Sequence, residues 1–322
     1  MQALYDVPAP AKLNLFLHVV GKREDGYHLL QSIFALIDWA DTLHFERRSD
    51  GLLRRHDGAG AAAALPEDDL CVRAARLLQA EAGRSDLGVD IHLEKRLPAG
   101  AGMGGGSSDA ASTLLALNRL WDLNWPRSRL LPLGLKLGAD VPFFLGGDNA
   151  FVEGIGEILH PIALPEQGYF VLKPPTSIAT KEIFSSELLA KSKSVAIVAG
   201  FPAHNSSDAN KPKRRVSEVA DGAEGMESFM NGFGRNDLQK PAEAICPEVQ
   251  QGLLWLETRF GNSRMTGSGS AVFARVETAA VDGKYGMSHQ SMATVPEGLP
   301  SGWIGKICRS LKQHPLKEWA SD

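Results

Sequence analysis

Cysteine is scarce in this sequence: Cys71, Cys246 and Cys308 are the only three in 322 residues, with no C-x-x-C pair and no histidine at ligand spacing. That excludes a disulfide framework and a zinc site, and it fits a reducing compartment. No apolar run approaches the roughly 18 residues that a membrane span needs. The first residues lack the basic start and apolar core of a secretory signal, so the expected location is the cytoplasm. An excess of positive charge is missing too. The net charge of −4 argues against nucleic acid as a general partner. At 43% hydrophobic and 22% charged, the chain is an ordinary globular one, long enough for two cores.

What the chain does have is glycine in one place. Pro98-Ala99-Gly100-Ala101-Gly102-Met103-Gly104-Gly105-Gly106-Ser107-Ser108 carries five glycines between positions 100 and 106. Asp109 to Trp121 follows with helical periodicity, Ala110, Leu114, Leu117 and Trp121 sharing a face, and Ser107 or Ser108 is expected as N-cap. A glycine loop feeding a helix start aims N–H groups and the positive dipole end at one spot, which is a phosphate site. It is not a P-loop, because no Lys-Ser or Lys-Thr closes it. Gly100, Gly102 and Gly105 match G-x-G-x-x-G, but the strand before them, Val89–Lys95, alternates apolar and polar as a half-exposed antiparallel strand does. No acid lies between Asp122 and Asp140 to hold a ribose, so a dinucleotide site is rejected.

Strands are expected at 12–19, 42–46, 89–95, 169–172 and 271–276. Helices are expected to open at Pro66-Glu67-Asp68-Asp69 and to cover 247–260. The pattern reads as α+β. A division at 160/161 gives domains 1–160 and 161–322, the second with a polar insertion at 191–230. Its basic run Lys211–Arg215 reads as solvated loop. Residues 277–322 offer no clear pattern.

In the first strand Lys12 and Asn14 fall opposite Leu13, Leu15, Leu17 and Val19, with Cα atoms about 7 Å apart. Asp140, amid Gly138, Pro142, Phe143 and Phe144, is an unusual place for a carboxylate and calls for a partner, for which Lys12 is the candidate. The alternative is a turn aspartate before a proline. Asp25-Gly26-Tyr27-His28 is a turn bearing an aromatic ring and an imidazole. Thr266-Gly267-Ser268-Gly269-Ser270 is either a tight turn or a second backbone contact to a ligand.

Taken in order, Pro10–Leu17, Asp25–His28, Pro98–Ser108, Gly138–Pro142, Asn236-Asp237-Leu238 and Thr266–Ser270 resemble the GHMP kinase superfamily, and within it the 4-diphosphocytidyl-2-C-methyl-D-erythritol kinases of the non-mevalonate isoprenoid pathway. The likeness is dense over 8–185 and returns over 232–276. It implies an N-terminal ribosomal-S5-like domain, a C-terminal ferredoxin-like domain and an active site in the cleft between them. It implies ATP, with Mg²⁺, on the loop Pro98 to Ser108, with Lys95 and Asp69 near adenine and ribose. CDP-methylerythritol would be the acceptor, phosphorylated on its 2-hydroxyl. Asp140 would take the hydroxyl proton and Lys12 would orient Asp140. Tyr27 would stack on cytosine, His28 would bond its edge, Asn14 would hold polar groups, and Thr180 and Phe184 would line the cytidine pocket. A monomer or weak homodimer is expected, and no metal-ligand set is identified. The chain departs from the pattern at Asp69 and Asp109, where Asn is expected, and at Ala101, where Gly is common.

Overall fold

The computed structural model describes residues 1–58, 66–189, 234–276 and 295–322. Two long strands, β1 (Ala3–Lys22) and β2 (His28–Arg48), form an antiparallel hairpin closed by the Asp25-Gly26 turn. β1 occupies one edge of β2. The other edge is shared by β4 (Gly88–Glu94), which pairs with residues 42–48, and β5 (Ala150–Glu153), which pairs with residues 32–34. β3 (Leu53–Asp57) runs parallel to β4, and β6 (Ile158–Pro161) pairs with β5. Over residues 35–41 no strand runs along that second edge of β2; a bridge from Ile37 to Ser310 and one buried side chain take up backbone groups there, as burial requires. Asn149 Oδ1 accepts Leu36 N at 2.8 Å.

One face of this sheet is covered by α1 (Leu70–Glu81), α2 (Gly105–Leu120), α3 (Arg127–Leu137) and α4 (Val141–Gly146), around Leu36, Phe45, Leu78, Leu114, Phe143 and Phe144. The other face meets a second antiparallel sheet of order β10-β7-β9-β8, made of β7 (Gly168–Lys173), β8 (Arg264–Met265), β9 (Val272–Val276) and β10 (Ile304–Arg309). Alternation along β7 divides its two faces. Tyr169 and Val171 pack with Leu13, Ile37 and Trp39 of the first sheet. Phe170 and Leu172 join Leu253 and Leu256 of α7 (Pro247–Phe260) and Ala242 of α6 (Gln239–Ile245). α5 (Thr180–Phe184) completes this half.

Three expectations need correction. β1 carries a bulge: Asn14 pairs with Phe34, but Leu17, three residues on, pairs with Ser32, only two residues back. The extra residue flips the alternation. Leu17 therefore joins Lys12 and Asn14 on one face, leaving Leu13 on the other. The first helix opens at Leu70, with Asp69 as its N-cap accepting Val72 N at 3.1 Å, so Pro66 and the two acids after it precede the helix. α2 begins at Gly105, four residues before Asp109, from Gly104 in the left-handed conformation and with no side-chain cap.

The insertion expected at 191–230, Lys211–Arg215 included, lies outside the described residues. Residues 310–322, unread in the sequence, return to the first sheet. Leu311 N donates to Leu36 O at 2.8 Å, and Leu316 and Ala320 are buried in the first core. The last 13 residues thus pack with the N-terminal domain although the sequence division assigned them to the second. Arg127 holds them. Its guanidinium donates to Lys317 O, Ala320 O, Leu145 O and Asp322 Oδ1. Replacing a buried, fully hydrogen-bonded arginine strands those acceptors, so Arg127→Met should destabilise the fold by about 2–4 kcal/mol in urea unfolding. An unchanged midpoint would show that the tail is not structural.

Candidate active site

A cleft of ≈ 960 Å³ lies between the two halves. All of the loop from Pro98 to Ser107 lines it, as do Lys12, Asn14, Tyr27, His28, Asp69, Lys95, Asp140, Thr180 and Phe184. Ser108, expected among the phosphate ligands, does not: its hydroxyl donates to Pro10 O at 2.7 Å and its N–H to Gly104 O at 2.9 Å. That serine pins α2 to β1. Gly105, Gly106 and Ser107 form the first turn of α2, where N–H groups have no intrahelical acceptor. The positive end of a 16-residue helix thus opens on the cleft.

The two glycine turns interlock. Ser270 N donates to Gly100 O at 3.0 Å and Ala271 N to Ala101 O at 3.3 Å. Gly102 sits at φ 72°, where an added Cβ would collide with Thr266 O; a Cβ on Gly267, at φ 54°, would lie 2.5 Å from Gly102 O. Only glycine allows this approach. The turn at 266–270 is therefore the bed on which the glycine loop rests, and Gly267, Ser268 and Gly269 also line the cleft.

Lys12 stands at the loop–helix junction, its Cε 3.3 Å from where a Cβ on Gly104 would be. Its ammonium donates to Asn14 Oδ1 at 2.5 Å, lies 3.5 Å from Asp140 Oδ2 and sits 4.3 Å from the Phe34 ring centre. The lysine side chain is 4% exposed, the aspartate 31%. Burial lowers the Lys12 pKa, opposed by the Asp140 charge. Asn14 is itself fixed, its Nδ2 donating to Ser32 Oγ and its N to Thr266 Oγ1, both at 2.9 Å. Asp140 precedes α4 and is not spent on capping it. At the far end of the cleft His28 stacks on Phe184 with centroids 5.2 Å apart and planes 23° from parallel. Thr180 Oγ1 lies 2.9 Å from Ser268 Oγ, and Tyr27 is exposed beside them.

Asp69 and Lys95 are engaged in ways the sequence did not suggest. Asp69 caps α1 and pairs with Arg55 at 3.0 Å. Lys95 binds two carboxylates at once, Asp41 and, at 2.8 Å, Asp109. Asp41 was missed altogether. It is fully buried in the open stretch of β2, and its Oδ1 accepts Arg96 N and Leu97 N at 2.6 and 2.7 Å, fixing the entry to the glycine loop. An aspartate flanked by apolar neighbours (Trp39-Ala40-Asp41) was the one available hint. No group of three or more histidine, cysteine, aspartate or glutamate side chains among the described residues could by itself hold a metal ion.

The fold and the cleft define the class. Residues 69–148 match the GHMP kinases N terminal domain and residues 219–285 the GHMP kinases C terminal domain. A homoserine kinase from Cytophaga hutchinsonii shares this fold, with TM-score 0.63 at 15% identity over 98% of this chain and 96% of its own. A crystal structure of 4-(cytidine 5'-diphospho)-2C-methyl-D-erythritol kinase matches at TM-score 0.64 and 35% identity over 83% of this chain and 88% of its own. Among sequences, 4-diphosphocytidyl-2-C-methyl-D-erythritol kinase from Methylibium petroleiphilum is 57% identical over 320 residues, 99% of each chain. That from Albidiferax ferrireducens is 51% identical over 321 residues, 99% of this chain and 96% of its own. This chain belongs to the 4-diphosphocytidyl-2-C-methyl-D-erythritol kinase family. Because those alignments run nearly end to end, the likeness also spans 191–230 and 277–322, which the sequence reading had left outside it.

The interlocked turns give a test by substitution. Gly102→Ala should lower the thermal midpoint by several degrees and remove nucleotide binding, because neither backbone can yield. Gly106→Ala, whose Cβ would meet only Leu70 Cδ1 at 3.4 Å, should melt close to the parent. Equal melting of the two variants would contradict the interlock.

Proposed function

We propose that this chain transfers the γ-phosphoryl group of ATP to the 2-hydroxyl of 4-diphosphocytidyl-2-C-methyl-D-erythritol, as the names of its relatives indicate. The observation that carries this reading is the placement of a buried ammonium and a part-exposed carboxylate, 3.5 Å apart, at the junction of a glycine loop and a helix start. Phosphoryl transfer needs positioning and charge stabilisation more than covalent help. The loop N–H groups and the α2 dipole receive the polyphosphate. Asp140 accepts the proton of the attacking hydroxyl, and Lys12, held by Asn14, keeps that carboxylate aimed and offsets charge as it develops.

The stacked His28–Phe184 pair, with Tyr27 and Thr180 beside it, forms an aromatic end suited to a planar base, which favours the cytidine substrate over a sugar, homoserine or mevalonate. Asn14 holds the polar groups between. Lys95 faces the nucleotide corner, whereas Asp69, spent on its cap and on Arg55, serves the ATP site by fixing the start of α1. Mg²⁺ fits the donor set, since phosphate oxygens supply most ligands of such an ion and Ser107 offers a cleft-facing hydroxyl. When bound, the ion neutralises charge on the β- and γ-phosphates. Every residue this reading uses comes from one chain, so the reaction as read needs no residue of a partner subunit. Three buried, unpaired cysteines suit the cytoplasm. No helix among the described residues is long and apolar enough to cross a membrane.

ADP release should be seen with 4-diphosphocytidyl-2-C-methyl-D-erythritol and be at least about 100-fold slower with galactose, homoserine or mevalonate. Comparable turnover of any of those would overturn the assignment. Asp140→Asn should reduce kcat by at least ~100-fold while leaving the Kd for ADP near the parent value. A parallel loss of ADP binding would instead mark Asp140 as structural.

A further inference from the structure

Lys173, the last residue of β7, is buried, does not line the cleft and has no part in the reaction as read. Two prolines follow it. Pro174 and Pro175 have no N–H, so the chain leaving β7 cannot close a turn there with its own backbone donors. The Lys173 ammonium closes it instead, donating to Pro174 O at 2.7 Å and to Thr176 O at 2.9 Å. Both partners are neutral carbonyls, and no carboxylate among the described residues forms an ion pair with it. Burial lowers the Lys173 pKa, so the charge is held there at a cost. A neutral side chain would fill the space without that cost, but a charged donor grips a carbonyl more tightly.

The carbonyl it grips has a second donor. Ser270 Oγ, from the turn on which the glycine loop rests, also donates to Thr176 O. Thr176 Oγ1 donates to Glu248 Oε1 at 2.7 Å, in the first turn of α7. Next along, Ser177 Oγ donates to Ala99 O at 3.1 Å, and a Cβ on Gly100 would lie 2.7 Å from Ser177 Cβ. Thr180 then meets Ser268 and opens α5, which ends at Phe184. Residues 174–180 thus form a strap laid across both glycine turns, running from the glycine loop to the aromatic end of the cleft. Its path is set where it leaves β7, and Lys173 is the group that sets it.

We propose that Lys173 is a positioning residue for both substrates: by fixing the strap it holds the glycine loop on its bed and Thr180 and Phe184 at the aromatic end, while touching neither ligand. The inference rests on the reading in which the loop receives ATP and the aromatic end receives the cytosine base. Without the ammonium, Pro174 O has no donor and Thr176 O keeps one of two, so the strap spreads over several conformations. Each ligand then binds only the fraction of molecules in which the strap lies as it does here, and apparent affinity falls at both ends. Lys12 and Asp140 stand on β1 and at the start of α4, away from the strap, so a bound pair of substrates reacts at nearly its usual rate.

The test is steady-state kinetics of the full-length protein, with ATP and 4-diphosphocytidyl-2-C-methyl-D-erythritol varied in turn, for the parent, Lys173→Met and Lys173→Gln. Lys173→Met should raise both KM values by about fivefold or more and keep kcat within about threefold of the parent. Lys173→Gln, which retains a donor for one carbonyl, should raise both by a smaller factor. Unchanged KM values in a folded variant, a rise in only one of them, or a loss confined to kcat would overturn the proposal and leave the assignment of the reaction standing. Failure of both variants to fold would also overturn it, by making the lysine an element of stability alone. A parent that releases no ADP with 4-diphosphocytidyl-2-C-methyl-D-erythritol would sink the assignment of the reaction and this inference with it.

Discussion

An ammonium held where water does not reach governs this molecule. Lys12 lies inside the first sheet, against an aromatic face, with one amide oxygen and one carboxylate for company. An unpaired buried charge is too costly to persist, so its surroundings are constrained to supply partners. Asn14 must sit two residues on, Asp140 must arrive at the start of a short helix, and Gly104 must be small enough to pass beside the lysine stem. The same three requirements bring a part-exposed carboxylate beside a glycine loop and a helix start, the pairing on which the proposed function rests.

β1 makes that arrangement stable by belonging to both halves. Its bulge turns Leu17 toward the cleft, and the backbone of Leu17 is clasped from the second half, its N–H by Arg235 O at 2.9 Å and its carbonyl by Asp237 N at 2.8 Å. Arg264, buried nearby, donates to Leu15 O within the bulge and to Gly234 O. The polar segment 234–237 and the turn 266–270 are thus fastened to the strand that carries the ammonium. The glycine loop is fastened to the same turn. Motion between the halves would have to break several buried hydrogen bonds at once, which makes the cleft a preformed site.

The residues that meet in the cleft were more legible in the sequence than the architecture, for physical reasons. Glycines at 100–106, Lys12 and Asp140 were legible because their residue types are costly where they stand and imply a compensating ligand or partner. The start of α2 was misplaced because Ser107 and Ser108 look like caps, and nothing local reveals that Gly104 turns left-handed and begins the helix without one. A one-residue bulge is invisible to a period-two pattern, so the face of Leu17 was inverted. Asp41, Asp109 and Arg127 act through partners 14 to 195 residues away, and no window of sequence contains both ends. The return of 310–322 to the first sheet belongs to that same class of long-range contact.

A structure of the ternary complex with a non-hydrolysable ATP analogue and 4-diphosphocytidyl-2-C-methyl-D-erythritol tests the account most directly. The acceptor 2-hydroxyl should lie about 3 Å from Asp140, between that carboxylate and a γ-phosphate resting on the first turn of α2. A hydroxyl pointing away from Asp140, or a polyphosphate bound elsewhere than on the loop from Pro98 to Ser107, would contradict it.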